Sequence, residues 1–204
     1  MNAYKQCFWM MAHILCDFKL LAVLREEVNC AICQGSDALE YRLEQQCPRL
    51  KAVYQEVLRL TASSSTVRDI HCETEIGGKI LQPGANILIP YRQLHINPDI
   101  FGNNADQFDA NRFLHDPDLS KNPSFRPFGG GKTYCPGRYL AAREILTFVA
   151  LALHRFEIEI IPKRATGAAG SWPKFPRVDK QKFCLGIMEP MEGDDLIVTV
   201  KQRM

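Results

Sequence analysis

The segment that most restricts this chain is Phe128-Gly-Gly-Gly-Lys-Thr-Tyr-Cys135-Pro-Gly137. It runs into the strongest helical pattern in the sequence, PGRYLAAREILTFVALALHRF over 136–156. Proline fits the first turn of a helix, where its missing N–H is one the helix does not use, so Pro136 is expected in that turn. Glycines let the backbone pass close to a flat ligand with no Cβ atoms in the way. The free N–H groups and dipole of a helix N-terminus favour an anion, and a thiol placed there ionises more readily. A thiolate held under a large planar group is what haem-thiolate ligation requires. Two other readings fit the same residues. One is a phosphate cradle, although the segment departs from the phosphate-loop order and no strand feeds it directly. The other is a structural turn with a buried cysteine.

The rest of the chain divides by hydrophobic period. Residues 3–28 repeat as one helix, with Phe8, Met11, Ile14 and Leu15 on a face that continues through Phe18, Leu21 and Leu24. Its start shows no clear capping signal, as if a helix were entered partway along. Residues 36–46 read as a polar connector or short helix, and Pro48 opens a new element. RLKAVYQEVLRLTAS (49–63) is a strong amphipathic helix with Leu50, Val53, Val57, Leu58 and Leu60 as its apolar set. Short strands follow in STVRDIHCETEI, KIL and ANILIPY, separated by turn signals at Gly77-Gly78 and Pro83-Gly84. Residues 97–127 are irregular but rich in aromatics (Phe101, Phe108, Phe113, Phe125), which argues that the stretch is packed. After the 136–156 helix, FEIEII reads as a strand and 165–176 as a linker-like loop. KFCLGI and DLIVTV are expected to close the chain as strands. The expected fold class is mainly α with small β-sheets, an α+β arrangement.

Charge and cysteine usage narrow the function. With 25 Lys plus Arg against 23 Asp plus Glu, the net charge is +2. That near balance argues against nucleic acid as a partner, which needs a concentrated basic face. Eight cysteines invite a disulfide framework, but that reading belongs to short secreted chains with a signal peptide. The apolar run from Cys7 to Cys16 contains His13, stops at Asp17 and has no small-residue cleavage site after it. It is also shorter than the ~20 apolar residues a bilayer span needs. Most of the cysteines therefore read as reduced and structural in a cytosol-facing protein. Cys30 and Cys33 form a CxxC, but a zinc ribbon needs a second pair and a thioredoxin-like motif needs a preceding strand.

Three motifs in one order carry a resemblance to a known family. FGGGKTYCPG is similar to the cytochrome P450 haem-loop pattern F-x-x-G-x-x-x-C-x-G, through Phe128, Gly131, Cys135 and Gly137. Glu56-Val-Leu-Arg59 resembles the E-x-x-R of that family's K helix, where i, i+3 spacing puts both charges on one face. Phe108-Asp-Ala-Asn-Arg112-Phe113 resembles the segment whose arginine completes the charge triad. Alone, an E-x-x-R is a commonplace solvated pair; in this order before a cysteine loop, coincidence is a poor explanation. GKTYCPGR, RLTASSSTVR and LGIMEPMEGDDLIVTV look closest to the branch containing sterol 7α-hydroxylases and prostacyclin synthase.

The resemblance implies that residues 1–204 are a partial cytochrome P450 domain. It would hold the second half of the I helix, the K helix, the β strands, the cysteine haem loop, the L helix and the C-terminal strands. The cofactor it implies is haem b, iron protoporphyrin IX with a cysteine thiolate ligand. Cys135 matches the axial iron ligand and Phe128 the aromatic that moderates the thiolate. Gly129, Gly131 and Gly137 match the loop glycines beneath the ring. Arg68 matches a basic residue that holds a haem propionate, its other reading being a strand-edge charge. Thr133 stands where many members carry Arg or His for a propionate. Glu56, Arg59 and Arg112 are implied as scaffold. Lys132, Arg138 and Arg143 would present a basic face to an acidic electron donor.

The implied function is a haem-thiolate monooxygenase inserting one atom of O2 into a small apolar substrate, sterol- or terpenoid-like. Its implied partner is NADPH–cytochrome P450 reductase or another electron donor. The alternatives are a truncated non-catalytic fragment of such an enzyme, and a haem-thiolate isomerase of the prostacyclin-synthase type. The I-helix acid–alcohol pair of the family does not appear between Met1 and Ala12, so no catalytic residue is identified. The resemblance further implies that the full-length parent sits on the cytosolic face of the endoplasmic reticulum membrane, associated only through an N-terminal anchor missing here.

Overall fold

A computed structural model describes residues 2–33, 37–161, 174–182 and 184–203. Four helices come first: α1 (Ala3–Cys16), α2 (Phe18–Cys33), α3 (Leu39–Gln46) and α4 (Pro48–Thr61). Two antiparallel hairpin-like pairs follow from β1 (Ser65–Asp69), β2 (Thr74–Ile76), β3 (Lys79–Leu81) and β4 (Asn86–Pro90). β1 pairs with β4, with Arg68 opposite Ile87, and β2 pairs with β3. Short helices α5 (Tyr91–His95), α6 (Pro98–Phe101) and α7 (Arg112–His115) punctuate the irregular stretch. The long helix α8 (Arg138–Arg155) leads into β5 (Phe156–Ile160), which pairs antiparallel with β6 (Val198–Gln202). This is the expected α+β mixture.

The first helix of the sequence reading is in fact two. The chain breaks at Asp17, and α1 and α2 diverge by 113°. The Asp17 carboxylate accepts the N–H groups of Lys19 at 2.9 Å and Leu20 at 3.1 Å. It therefore caps the second helix instead of continuing the first, the competition that makes Asp poor inside helices and good at their starts. The break re-aims the buried face. Trp9, Met10 and Ile14 enter the core from α1 and Leu24 and Val28 from α2, while Phe18 is left 73% exposed. Phe8 and Met11 are only half-buried against that core. No single helix among the described residues is long and apolar enough to cross a membrane.

Other departures are local. α8 starts at Arg138 with Gly137 as its cap, so Pro136 lies before the first turn and not in it. The expected strand over KFCLGI is absent among the described residues. Ile187 makes only an isolated bridge to Ala62, and Val178 another to Pro190. Here the chain is held by backbone bonds, Ser63 N–H to the Gly186 carbonyl at 2.7 Å and Met188 N–H to the Thr61 carbonyl at 2.9 Å, and by Trp9 Nε1, which donates to the Met188 carbonyl at 2.8 Å. The last strand begins at Val198, three residues into DLIVTV. The linker-like segment 165–176 lies outside the described residues except for 174–176.

The core is a helical sandwich in which α1 packs on α4 and α8. Glu27 on α2 ties the layers by accepting the Arg49 and Leu50 N–H groups, at 3.0 and 2.9 Å, at the start of α4. A carboxylate suits that position because those N–H groups have no partner inside the helix.

Beneath α4 lies a buried charge cluster. Glu56 and Arg59 are fully buried and Arg112 nearly so. Arg59 binds the carboxylate with two parallel bonds, Nη2 to Oε1 at 2.7 Å and Nε to Oε2 at 2.8 Å. Arg112 Nε donates to Oε1 at 3.2 Å, and the Asp109 N–H donates to the same oxygen at 3.0 Å. Two guanidiniums against one carboxylate leave a positive excess. Backbone carbonyls offset it: His95, Ala105 and Gln107 accept from Arg59, and Phe101 and Asn104 from Arg112.

His95 carries this cluster toward the cysteine segment. Its Nε2 accepts the Arg126 N–H at 2.9 Å, so the ring is neutral with its proton on Nδ1. Burial lowers its pKa to about 4, and His13, stacked on Phe108 at 3.8 Å, is lowered to about 3 by burial.

Two outcomes follow. Glu56→Ala strands two buried guanidiniums and costs about 3–5 kcal/mol of stability, measured by denaturant unfolding. Both histidines take up protons in the unfolded chain near the ordinary value of 6.5 but resist them when folded. Unfolding therefore consumes protons below that value, and stability falls as the pH drops from 6.5 to 5. His95→Gln removes about half of that fall, measured by thermal unfolding at each pH.

Candidate functional site

The cysteine loop is built on reversed backbone. Gly129 and Gly131 sit at φ +81° and +65°, a region that L side chains rarely adopt. The turn closes when the Cys135 N–H donates to the Phe128 carbonyl at 3.1 Å, after the Gly129 N–H has donated to Arg126 at 3.0 Å. Phe128 packs half-buried against the main core and anchors the loop's base. Cys135 is a free, half-buried thiol. A Cβ on Gly137 would stand 4.0 Å from its sulfur, in ordinary contact.

Cys135 opens onto a cavity of about 470 Å³. Leu58 and Tyr54 of α4, Ala141 and Ile145 of α8, and Phe128 form its inner wall. Ser64, Ser65 and Thr66 edge it from one side, and Leu185 and Ile187 from another. The lining is mainly apolar, with a few hydroxyl groups, the Asn2 and Gln6 amides and the Glu144 carboxylate among it, the character of a site for a mostly hydrophobic ligand.

β1 delivers Arg68 to the loop. Its Nη2 donates to Thr133 Oγ1 at 2.7 Å across 65 residues of sequence, while Nη1 holds Thr66 Oγ1 and the Val67 carbonyl. Two residues singled out separately in the sequence are thus one contact. Of the three cations expected to form a basic face, Arg138 is committed to the loop. It donates to the Cys135 carbonyl at 2.9 Å and lies over the Tyr134 and Tyr139 rings at 4.3 and 4.2 Å. Arg143 lies apart, in a second groove beside Glu40, Glu44 and Glu144, and Lys132 is exposed on the loop. Glu56, Arg59 and Arg112 meet one another but do not line the cavity.

Cys30 and Cys33 are exposed on α2, and among the described residues no group of three or more His, Cys, Asp or Glu side chains is placed to hold a metal ion. Sequence reasoning missed three wall or support residues. Tyr54 follows the helical spacing 54, 58, 61 and was detectable that way. Tyr91, whose ring lies 3.8 Å from a Cβ built on Gly129, and His95 carry no such signal, because only the β1–β4 pairing and the turn after it bring them in.

Comparison with known proteins agrees with this architecture. The family model described as Cytochrome P450 matches residues 6–180. A cytochrome P450 monooxygenase, calL, of Penicillium decumbens is 32% identical over 207 residues, covering 95% of this chain and 38% of the relative. Cytochrome P450 7A1 of Oryctolagus cuniculus is 27% identical, covering 93% of this chain and 41% of its own. The 7-alpha-hydroxycholest-4-en-3-one 12-alpha-hydroxylase of Homo sapiens is 27% identical over 93% of this chain and 40% of its own. The chain belongs to the cytochrome P450 family. It spans about two fifths of the length of these relatives.

The Arg68–Thr133 contact predicts a measurable effect on the loop. Arg68→Ala removes the one strand-to-loop side-chain bond described here. Amide hydrogen exchange over 131–135 should then quicken about fivefold, the worth of one ordinary hydrogen bond.

Proposed function

We propose that this chain supplies the thiolate-bearing wall of a haem monooxygenase, in which Cys135 would hold the haem iron. The observation that carries the reading is the free, half-buried Cys135 thiol at the edge of a mainly apolar cavity, on a loop whose glycines keep side chains clear. The residues present fit the group in three respects. A soft sulfur donor suits haem iron. The lining of Leu58, Ala141, Ile145 and Phe128 suits a porphyrin face. Arg68, held beside Thr133, suits a carboxylate at the porphyrin edge.

Haem ligated by a thiolate supplies oxygen activation, the thiolate favouring O–O cleavage. The chain's own residues set the conditions for it. The Cys135 N–H to Phe128 carbonyl bond holds the loop closed, and Phe128 anchors its base on the core. Arg138, bonded to the Cys135 carbonyl, fixes the turn from α8. Lys132 and the Arg138 edge form a small positive surface where an acidic electron donor such as NADPH–cytochrome P450 reductase would approach. Oxygen insertion into an apolar substrate is favoured over peroxide isomerisation, because the relatives are named as monooxygenases and a hydroxylase. A sterol-like acceptor is consistent with the 7-alpha-hydroxycholest-4-en-3-one 12-alpha-hydroxylase among them and with the apolar lining.

The test is spectroscopic. The chain reconstituted with haemin and reduced under CO should give the Soret band of a thiolate complex, and Cys135→Ser should abolish it. A wild-type chain giving no such band would overturn the assignment.

A further inference from the structure

Tyr54 stands one turn before Leu58 on α4, and both line the cavity onto which Cys135 opens. The residue is 6% exposed, and its hydroxyl is buried with no hydrogen-bond partner among the described residues. Nearly all buried polar groups in folded proteins find a partner, so an orphan of this kind needs an explanation. Neither the packing of α4 nor the charge cluster supplies one, since Glu56 and Arg59 are fully engaged with each other, Arg112 and the neighbouring backbone.

Burial raises the Tyr54 pKa, and Tyr134 raises it further. The phenol therefore keeps its proton at neutral pH and is available as a donor. Tyr54 and Cys135 line the same cavity.

We propose that the Tyr54 hydroxyl donates a hydrogen bond to an anionic acceptor supplied by the occupant of the Cys135 cavity. The proposal rests on the haem reading of that cavity. Two anions come with such an occupant: the Cys135 sulfur once it is coordinated, and a carboxylate at the porphyrin edge. Both would accept from a phenol, and a charge-assisted bond is the stronger kind.

The experiment compares the full 204-residue chain with its Tyr54→Phe variant in two states. Without haem, the variant loses only an unsatisfied buried hydroxyl, and its Tm should rise by about 2–4 °C. With haemin, the variant should lose about tenfold in affinity, the worth of one charge-assisted hydrogen bond. Haemin dimethyl ester, which lacks the carboxylates, locates the acceptor. A penalty that persists with the ester assigns it to the Cys135 sulfur, and a penalty that vanishes assigns it to the carboxylate. A variant that binds both haemin forms as tightly as wild type overturns the proposal. So does a lower Tm without haem, which would reveal a partner within the chain. A wild-type chain that binds no haemin overturns the haem reading itself and the proposal with it, an outcome distinct from the other two.

Discussion

The Glu56 carboxylate is the point about which much of the middle of this molecule is arranged. It lies out of water with three hydrogen bonds on one oxygen and one on the other, from Arg59, Arg112 and the Asp109 amide. Burying three ionised groups is costly, and their mutual attraction offsets it only when every donor and acceptor is used. The cluster meets that condition by drafting backbone carbonyls from 95–107. Those carbonyls face two guanidiniums, and the Asn104 carbonyl accepts the Gln107 amide as well, using both of its lone pairs.

The cysteine loop inherits its position from this cluster through a short chain of contacts. Arg59 holds the His95 carbonyl, the His95 ring accepts the Arg126 amide, and the Arg126 carbonyl accepts the Gly129 amide. Each link is polar and directional, so displacement at one end is passed along. Phe128 adds an apolar anchor to the main core, and Arg68 and Arg138 grip the loop from β1 and α8. Two glycines at positive φ make a poor intrinsic turn for any other residue. With these four restraints around it, a conformation of low local stability has a defined place.

Much of this was legible in the sequence where the pattern is local. The α4 helix starts at the expected Pro48, β2, β3 and β4 are separated at the expected glycine turns although STVRDIHCETEI splits into β1 and β2, and the helix after the cysteine loop begins two residues late. What failed was decided by competition or distance. Asp17 lies within a continuous apolar period, yet its carboxylate gains more by capping α2 than the backbone gains by continuing. The C-terminal segment reads as a strand, but it makes only short pairings, two backbone bonds around Ala62 and the Trp9 indole bond to Met188. Arg68 and Thr133 were each identifiable, but nothing in the sequence joins residues 65 positions apart. The carbonyls around Arg59 were invisible, since residue type does not reveal which way a backbone oxygen points.

The Glu56 cluster and the Tyr54 hydroxyl stand in opposite conditions. Around Glu56 every group is paired inside the chain, so the cluster needs nothing further and gains nothing from a ligand. Tyr54, two residues earlier on the same helix, is equally enclosed but unpaired. Closely packed interiors keep such groups only where something else completes them or where strain is tolerated. One helix therefore presents a satisfied face to the irregular stretch and an unsatisfied one to the cavity wall. The i, i+3 spacing of Glu56 and Arg59 requires the first. The 54, 58 spacing places Tyr54 in a wall that Cys135 shares.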